Sequence, residues 1–395
     1  KGALREVPFT LKRWIRGVYA FSAFLLGCCA LTVYGFILFG GGKKLLEVKK
    51  LEKLKGVGVK ELEENKITSN NFLTSSTSER KKLRFHRVMQ WVANFVIRRV
   101  PGTTFHYENL SGETFEKPAV IISNHQSHLD LMCLLMLTPK LIILTNDWVW
   151  NSPFFGKMIR YAEFYPVSQG FENALPTLAN AVQRGYSIVV FPEGTRSADS
   201  SILRFHRGAF YLAEQLQLDI IPVFLHGAGH VLPKTDFMLR EGRITVQVRE
   251  RITPNDSRFA ADYATRSKQV RRYYSETCAE ISKEIETPEY FKSFVLHNYM
   301  YKGADVWRGV TQEFEKLEGV KEVKKLMEVK ELGENRVLIE NNGYGVYSFL
   351  YALTHKNVQV IAVDDDEDKV ATAKHCAGIP RNLTIYHTSE WTNTL

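Results

Sequence analysis

Ala119-Val120-Ile121-Ile122-Ser123-Asn124-His125-Gln126-Ser127-His128-Leu129-Asp130 is the stretch on which the reading of the fold turns. Its first four residues are an apolar run of strand length, and the apolar residues 131–137 behind it are long enough to continue as a helix. Ser127, with Asp130 three residues on, reads as a helix N-terminus, the serine capping and the acid reaching back to free backbone donors. His125 then lies outside the helix, at a strand end, and Asp130 in the first turn can fold back toward its ring. A His and an Asp five apart inside one straight helix would not meet. An imidazole oriented by a carboxylate is the arrangement of a general base that takes a proton from a hydroxyl. A structural histidine beside a capped helix accounts for the same residues, and this stretch alone leaves both readings open.

Around it, from Phe105 to Ile252, apolar strand-like runs alternate with helical patterns. The expected runs are 119–122, 141–144, 187–191, 220–225 and 244–248, with Pro153, Pro166 and Pro192 in the intervening loops. That alternation predicts an α/β domain, a mixed sheet covered by helices. The second chemical signal follows the run at 187: Phe191-Pro192-Glu193-Gly194-Thr195-Arg196-Ser197. A loop of this kind at a strand end sets an acid, a hydroxyl and a guanidinium beside a backbone that a ligand can approach closely. Arg196 suits a bidentate phosphate contact, and Glu193 suits ligand hydroxyls. A surface turn with an internal ion pair is the competing account of the same loop.

The 395 residues exceed one ordinary core, so two or three units are expected. With 45% hydrophobic and 24% charged residues the chain is globular rather than disordered, and its net charge of +9 points to an anionic partner without naming it. The cysteines Cys28, Cys29, Cys133, Cys278 and Cys376 lack metal-ligand spacing, which predicts reduced thiols and a cytosolic soluble part. Residues 18–40 carry no charge and are long enough to cross a bilayer as a helix, longer than a signal-peptide core. Basic residues flank this stretch, more heavily on its C-terminal side (Lys43, Lys44, Lys49, Lys50), which places the bulk of the chain in the cytoplasm. Residues 43–66 have helical Lys/Glu/Leu/Val spacing, with a faint helix-hairpin-helix likeness around Gly56 and Gly58, and 68–78 read as a polar linker. Residues 79–100 form a basic, aromatic helix suited to an anionic membrane or to packing on the next domain.

Together the two loops resemble the glycerolipid acyltransferase family, of which lysophosphatidic acid acyltransferase is the familiar member. Asn124, His125 and Asp130 match its first block, 191–197 its third, and Phe205, Gly208 and Ala209 the stretch that follows. Ile220-Ile221-Pro222-Val223 match the fourth. The second block is partly kept at 153–156 and 164–167, but Gln169 stands where many members have Arg. The resemblance implies that His125 deprotonates an acceptor hydroxyl that attacks an acyl thioester directly, with Asp130 steadying the imidazolium. It implies that Glu193, Gly194, Thr195, Arg196 and Arg207 bind the acceptor, with no metal and no acyl-enzyme. Consistently, the sequence holds no Gly-x-Ser-x-Gly elbow. The implied partners are a membrane lipid and acyl-CoA or acyl carrier protein as co-substrate, not nucleic acid, at the cytoplasmic face of the cell inner membrane. Losing one cation at Gln169 weakens a dianionic acceptor, which keeps an N-acyl amino acid lipid open beside lysophosphatidic acid.

Further on, 336–340 read as a strand entering the turn Asn341-Asn342-Gly343-Tyr344-Gly345, followed by a helix at 346–353 and a strand at 358–363 ending in Asp364. This order resembles the first half of a class I methyltransferase, which would make Gly343, Gly345 and Asp364 contacts to S-adenosylmethionine. Asn341 departs from the usual first glycine, and only a third strand, 383–386, follows, so a non-catalytic half-domain is the competing expectation. The expected division is 1–42 membrane helix and flanks, 43–78 charged segment and linker, 79–256 acyltransferase domain, 257–330 helical connector, and 331–395 a partial Rossmann-like unit. Two function classes compete: a membrane-bound O-acyltransferase, and a non-catalytic protein that holds lipid at the membrane.

Overall fold

Seven strands pair into one sheet: β1 (Thr103–Asn109), β2 (Val120–Ser123), β3 (Leu141–Thr145), β4 (Tyr165–Pro166), β5 (Ser187–Val190), β6 (Ile220–His226) and β7 (Gly242–Val248). The spatial order is β1-β7-β6-β2-β5-β3-β4, and all neighbours are parallel except β6 and β7. In β2, β5 and β6 every residue is buried, which is why these strands read as continuous apolar runs rather than alternating ones. The edge strand β1 alternates polar and apolar residues and pairs along its whole length with β7. The computed structural model describes residues 9–39, 69–316 and 329–391, apart from 154, 235–238, 300–301 and 377. The charged 43–66 segment with its hairpin-like glycines lies outside the described residues.

Successive residues of β2 serve opposite cores, as the period of a strand requires. Ile121 packs with Cys133, Leu134, Val189 and Ile221 beneath α1 (Phe9–Phe39), α2 (Ser69–Ile97) and α3 (Leu129–Leu135). Between β3 and β5 lie α4 (Asp147–Trp150), α5 (Gly156–Tyr161) and α6 (Phe171–Gln183). Val120 and Ile122 face Leu178 of α6, Phe210 of α7 (Gly208–Gln215) and Tyr274 of α9 (Tyr263–Ile285); α8 (Ala228–Val231) follows β6. The Tyr274 hydroxyl donates to Ile122 O at 2.8 Å, tying α9 to the strand that carries the candidate site.

The uncharged N-terminal stretch is a helix with two different faces. Cys28 and Leu31 of α1 are in the core, and Phe24, Tyr34 and Phe39 meet the rings of Phe155, Phe85 and Tyr161. Trp14, Leu26, Val33 and Ile37 on the other side are more than half exposed. Its segment Trp14–Phe39 is long and apolar enough to cross a membrane, and one side of it is docked on the domain. The polar stretch 68–78, expected as a linker, is corrected: helix α2 begins at Ser69. Ser, Thr and Asn are only weakly unfavourable in a helix, and a helix already nucleated by packing extends through them at small cost. Farther along α2, Phe85, Met89, Ala93 and Ile97 are buried while Trp91 and Phe95 face outward, Arg99 lying 4.1 Å over the Phe95 ring.

A second unit holds α10 (Pro288–Asn298), α11 (Ala304–Glu315), β8 (Val329–Gly333), β9 (Arg336–Glu340), α12 (Val346–Thr354), β10 (Gln359–Asp364), α13 (Glu367–Lys374) and β11 (Leu383–His387). Its sheet runs β11-β10-β9-β8, with β9, β10 and β11 parallel and β8 antiparallel to β9. The described part of 257–330, expected as one connector, is divided between the units. Tyr274 and Ile281 of α9 belong to the first unit's core, whereas Phe291, Val295 and Tyr299 and also Val310 and Phe314 belong to the second's.

Candidate active site

His125 sits where β2 ends and its helix has not begun. Its Nδ1 is 2.8 Å from Asp130 Oδ2, and the same oxygen accepts the backbone N–H groups of Gln126 at 2.6 Å and Ser127 at 2.8 Å. The acid does reach back as the helix-start pattern predicts. The helix itself starts one residue later than expected, at Leu129, while the Ser127 hydroxyl accepts from Leu129 N and donates to Leu232 O. Asp130 is fully buried and its Oδ1 has no partner among the described residues, so one oxygen carries the whole arrangement. The imidazole lies 4.0 Å from the Phe191 ring, nearly parallel to it. Its Nε2 makes no hydrogen bond to a described residue, and the side chain remains 21% exposed. A ring clamped on one nitrogen, stacked on one face and open at the other nitrogen can take a proton from an incoming hydroxyl.

The 191–197 loop comes up beside it on β5. Glu193 is buried, and both its oxygens are engaged: Oε1 accepts His125 N and Oε2 accepts Leu203 N, each at 2.9 Å. Burial raises its pKa even though both backbone donors pull the other way. The carboxylate expected to meet acceptor hydroxyls therefore braces the His125 loop against the 200s loop. Ser197 N donates to His125 O at 2.8 Å, a second strap between the loops. Gly194 has φ +67, a left-handed conformation that glycine adopts without cost, and Thr195 is exposed beside it. The Arg196 guanidinium has no hydrogen bond or ion pair among the described residues, and burial lowers its pKa. Arg207 at the start of α7 is exposed and likewise unpaired. His128 is held below the ordinary imidazole range by partial burial, then by Arg196 and His125. Lys234, which the sequence reading passed over, donates to Arg196 O at 2.9 Å and Thr195 Oγ1 at 3.3 Å. The Gln169 side chain lies outside the described ones.

Asn124, quoted above only as part of a block, locks the site to the sheet. Its amide donates to Leu225 O and accepts from Leu225 N, both at 2.8 Å, joining the loop to β6 from inside the core. Among the described residues no group of His, Cys, Asp and Glu is arranged to hold a metal ion.

In the second unit, Asp364 does not stand free at the strand end. Its Oδ2 accepts Gly343 N at 2.6 Å and its Oδ1 accepts Asp366 N at 3.0 Å. Gly343 and Gly345 have φ +59 and +93, so the turn is tight as expected. Glu313 of α11 lies in it, accepting Tyr344 N at 2.9 Å and Val346 N at 3.4 Å; a Cβ at Gly343 would come within 2.4 Å of its Oε1. Burial pushes the Glu313 carboxyl up to about 7. No pattern in the sequence marks this occupant, which arrives from thirty residues upstream on another helix.

With the geometry in view, the relatives fall into one group. A family model described as Acyltransferase matches residues 102–226. The human 1-acyl-sn-glycerol-3-phosphate acyltransferase beta is 32% identical over 42% of this chain and 62% of its own length. The chloroplastic 1-acyl-sn-glycerol-3-phosphate acyltransferase BAT2 of Brassica napus is 26% identical over 50% of this chain and 58% of its own. The chain thus spans about 60% of the length of these relatives. The crystal structure of the 1-acyl-sn-glycerophosphate acyltransferase PlsC from Thermotoga maritima aligns over 64% of this chain and 95% of that one, at 17% identity and a TM-score of 0.46. The matched segment contains both loops described above, from Asn124 to Ser197, and over it the chain matches the acyltransferase family model and is similar to 1-acyl-sn-glycerol-3-phosphate acyltransferases.

Proposed function

We propose that this chain is a membrane-associated O-acyltransferase. It would move a fatty acyl group from an acyl-CoA or acyl carrier protein thioester to the hydroxyl of a lysophospholipid such as lysophosphatidic acid. The observation that carries the reading is the His125–Asp130 pair with an open Nε2, set beside the unpaired Arg196 guanidinium. A base alone would serve many reactions. A base beside an unpaired, partly buried cation suits a hydroxyl on an anionic molecule.

In this mechanism His125 Nε2 takes the proton of the acceptor hydroxyl as its oxygen attacks the thioester carbonyl carbon. Asp130 Oδ2 accepts from Nδ1, fixing the tautomer and stabilising the imidazolium that forms. Collapse of the tetrahedral intermediate breaks the C–S bond, and the imidazolium returns its proton to the thiolate. The ester and the free thiol account for all atoms. The thioester supplies the activation, so the reaction calls on no metal and no further cofactor. Arg196, with Arg207 outside it, faces the acceptor's negative charge, and Glu193 acts on the reaction through the backbone of His125.

The exposed apolar side of α1, together with Trp91 and Phe95 exposed on α2, supports membrane association of the domain. The test is transfer by the purified chain in lipid vesicles, with acyl-CoA or acyl carrier protein as donor. Lysophosphatidic acid and an N-acyl amino acid bearing a hydroxyl serve as alternative acceptors, and product is read by mass spectrometry. The expected outcome is phosphatidic acid formation; no transfer from either donor to either acceptor would refute the enzyme reading.

A further inference from the structure

We propose that Lys234 is a second cation of the acceptor site, closing together with Arg196 on the acceptor's phosphate; the inference rests on the acyltransferase reading above. Lys234 lies in the segment between β6 and β7, beyond residues 102–226 that match the family model. Its ammonium is nonetheless fixed to the 191–197 loop, through Arg196 O at 2.9 Å and Thr195 Oγ1 at 3.3 Å. The peptide unit that receives it is the one whose N–H, on Ser197, donates to His125 O at 2.8 Å. A single peptide plane therefore separates Lys234 from the loop that carries the base.

Among the described residues the charge around this point has only a partial counterweight, Asp130 acting on Arg196 at a distance. Arg196 and Lys234 have no carboxylate partner among the described residues. The described acids beside it are already engaged by other donors: Asp130 Oδ2 takes three, and Glu193 takes one on each oxygen. His128, on the same side, is held below its usual range in part by Arg196, as expected where positive charge is crowded. An ammonium with three donors keeps one or more free after these two contacts. Two cations held to one loop beside a base, neither in an ion pair among the described residues, call for an anion, and a phosphomonoester, close to dianionic at neutral pH, uses two cations better than one. Arg196 offers a planar fork and Lys234 a compact point charge, a complementary pair for one tetrahedral group. The same chemistry would also suit the phosphates of a CoA donor, so the experiment separates the two sources.

Steady-state kinetics of Lys234→Gln and Lys234→Arg are measured with lysophosphatidic acid and with lysophosphatidylethanolamine, whose phosphodiester carries one negative charge, and with acyl-CoA varied separately. In Lys234→Gln the kcat/KM for lysophosphatidic acid falls about tenfold further than that for lysophosphatidylethanolamine, the scale of one charge-assisted contact at a partly exposed site. Lys234→Arg restores most of the difference, and the gap narrows as salt is raised. Equal losses for the two acceptors would make Lys234 a structural strap only, and a rise confined to the KM for acyl-CoA would assign it to the donor; either result overturns the proposal. A wild-type chain inactive on both acceptors would instead overturn the acyltransferase reading beneath it.

Discussion

Asp130→Asn isolates what the carboxylate charge contributes. All three of the hydrogen bonds that Asp130 accepts fall on Oδ2, while Oδ1 is buried without a partner. An asparagine with its oxygen in the Oδ2 place keeps the backbone of 126–127 and the Nδ1 contact, and puts its amide in the Oδ1 place. The loop keeps its shape at a cost of about 1–3 kcal/mol for the buried unpaired amide. What disappears is the attraction between an imidazolium and an anion, about 4 kcal/mol for unit charges near 4 Å apart at an effective dielectric constant of 20. At 1.36 kcal/mol per decade that is a fall of about a thousandfold in kcat. The assay is thiol release from acyl-CoA in the presence of lysophosphatidic acid, with thermal melting and circular dichroism to establish that the variant is folded. A folded Asp130→Asn protein working within tenfold of wild type would refute the role given to this residue.

Other outcomes follow from the same contacts. Glu193→Ala strands the part-buried N–H groups of His125 and Leu203 and costs about 2–4 kcal/mol, read as a lowered denaturant midpoint; an unchanged midpoint contradicts the bracing role. Glu313 has a folded pKa of about 7 against 4.5 for the free residue, so between these values the folded state binds the extra proton. The contribution of Glu313 to the stability of the second unit is therefore fully present below about pH 4.5, and on the order of 3 kcal/mol is lost as pH rises through about 7. Glu313→Gln flattens that slope in melts from pH 5 to 8, and parallel curves for the two proteins would contradict it. Replacing Trp14, Leu26 and Ile37 together by serine removes exposed apolar surface from α1 and weakens flotation with phospholipid vesicles; undiminished flotation would place the membrane contact elsewhere.

The central sheet was legible because its strands are buried on both faces and announce themselves as apolar runs at 120, 141, 187, 220 and 244. Edge strand β1 was not, since Thr103–Asn109 covers the core with one face only and owes its pairing to β7, far along the chain. The His125–Asp130 contact was legible because it is local, fixed by a strand end and a helix start five residues apart. The bracing contacts of Glu193 were not legible for the opposite reason: a carboxylate in a ligand-like loop shows its charge in sequence, but the donors that engage it come from residues 125 and 203. Lys234 and Glu313 were missed likewise, since each reaches its partners from a separate element. Division of 257–330 between two cores depends on which surface each helix meets, and an amphipathic pattern shows a buried face without naming what buries it.

The central claim is that the open nitrogen of His125 is the base for acyl transfer to a lipid hydroxyl. The most direct measurement compares wild type and His125→Ala, both in vesicles and matched for folding and membrane binding, for phosphatidic acid formed from acyl-CoA and lysophosphatidic acid. The account predicts steady product from the wild type and none above background from the variant. Turnover by His125→Ala at the wild-type rate would contradict it.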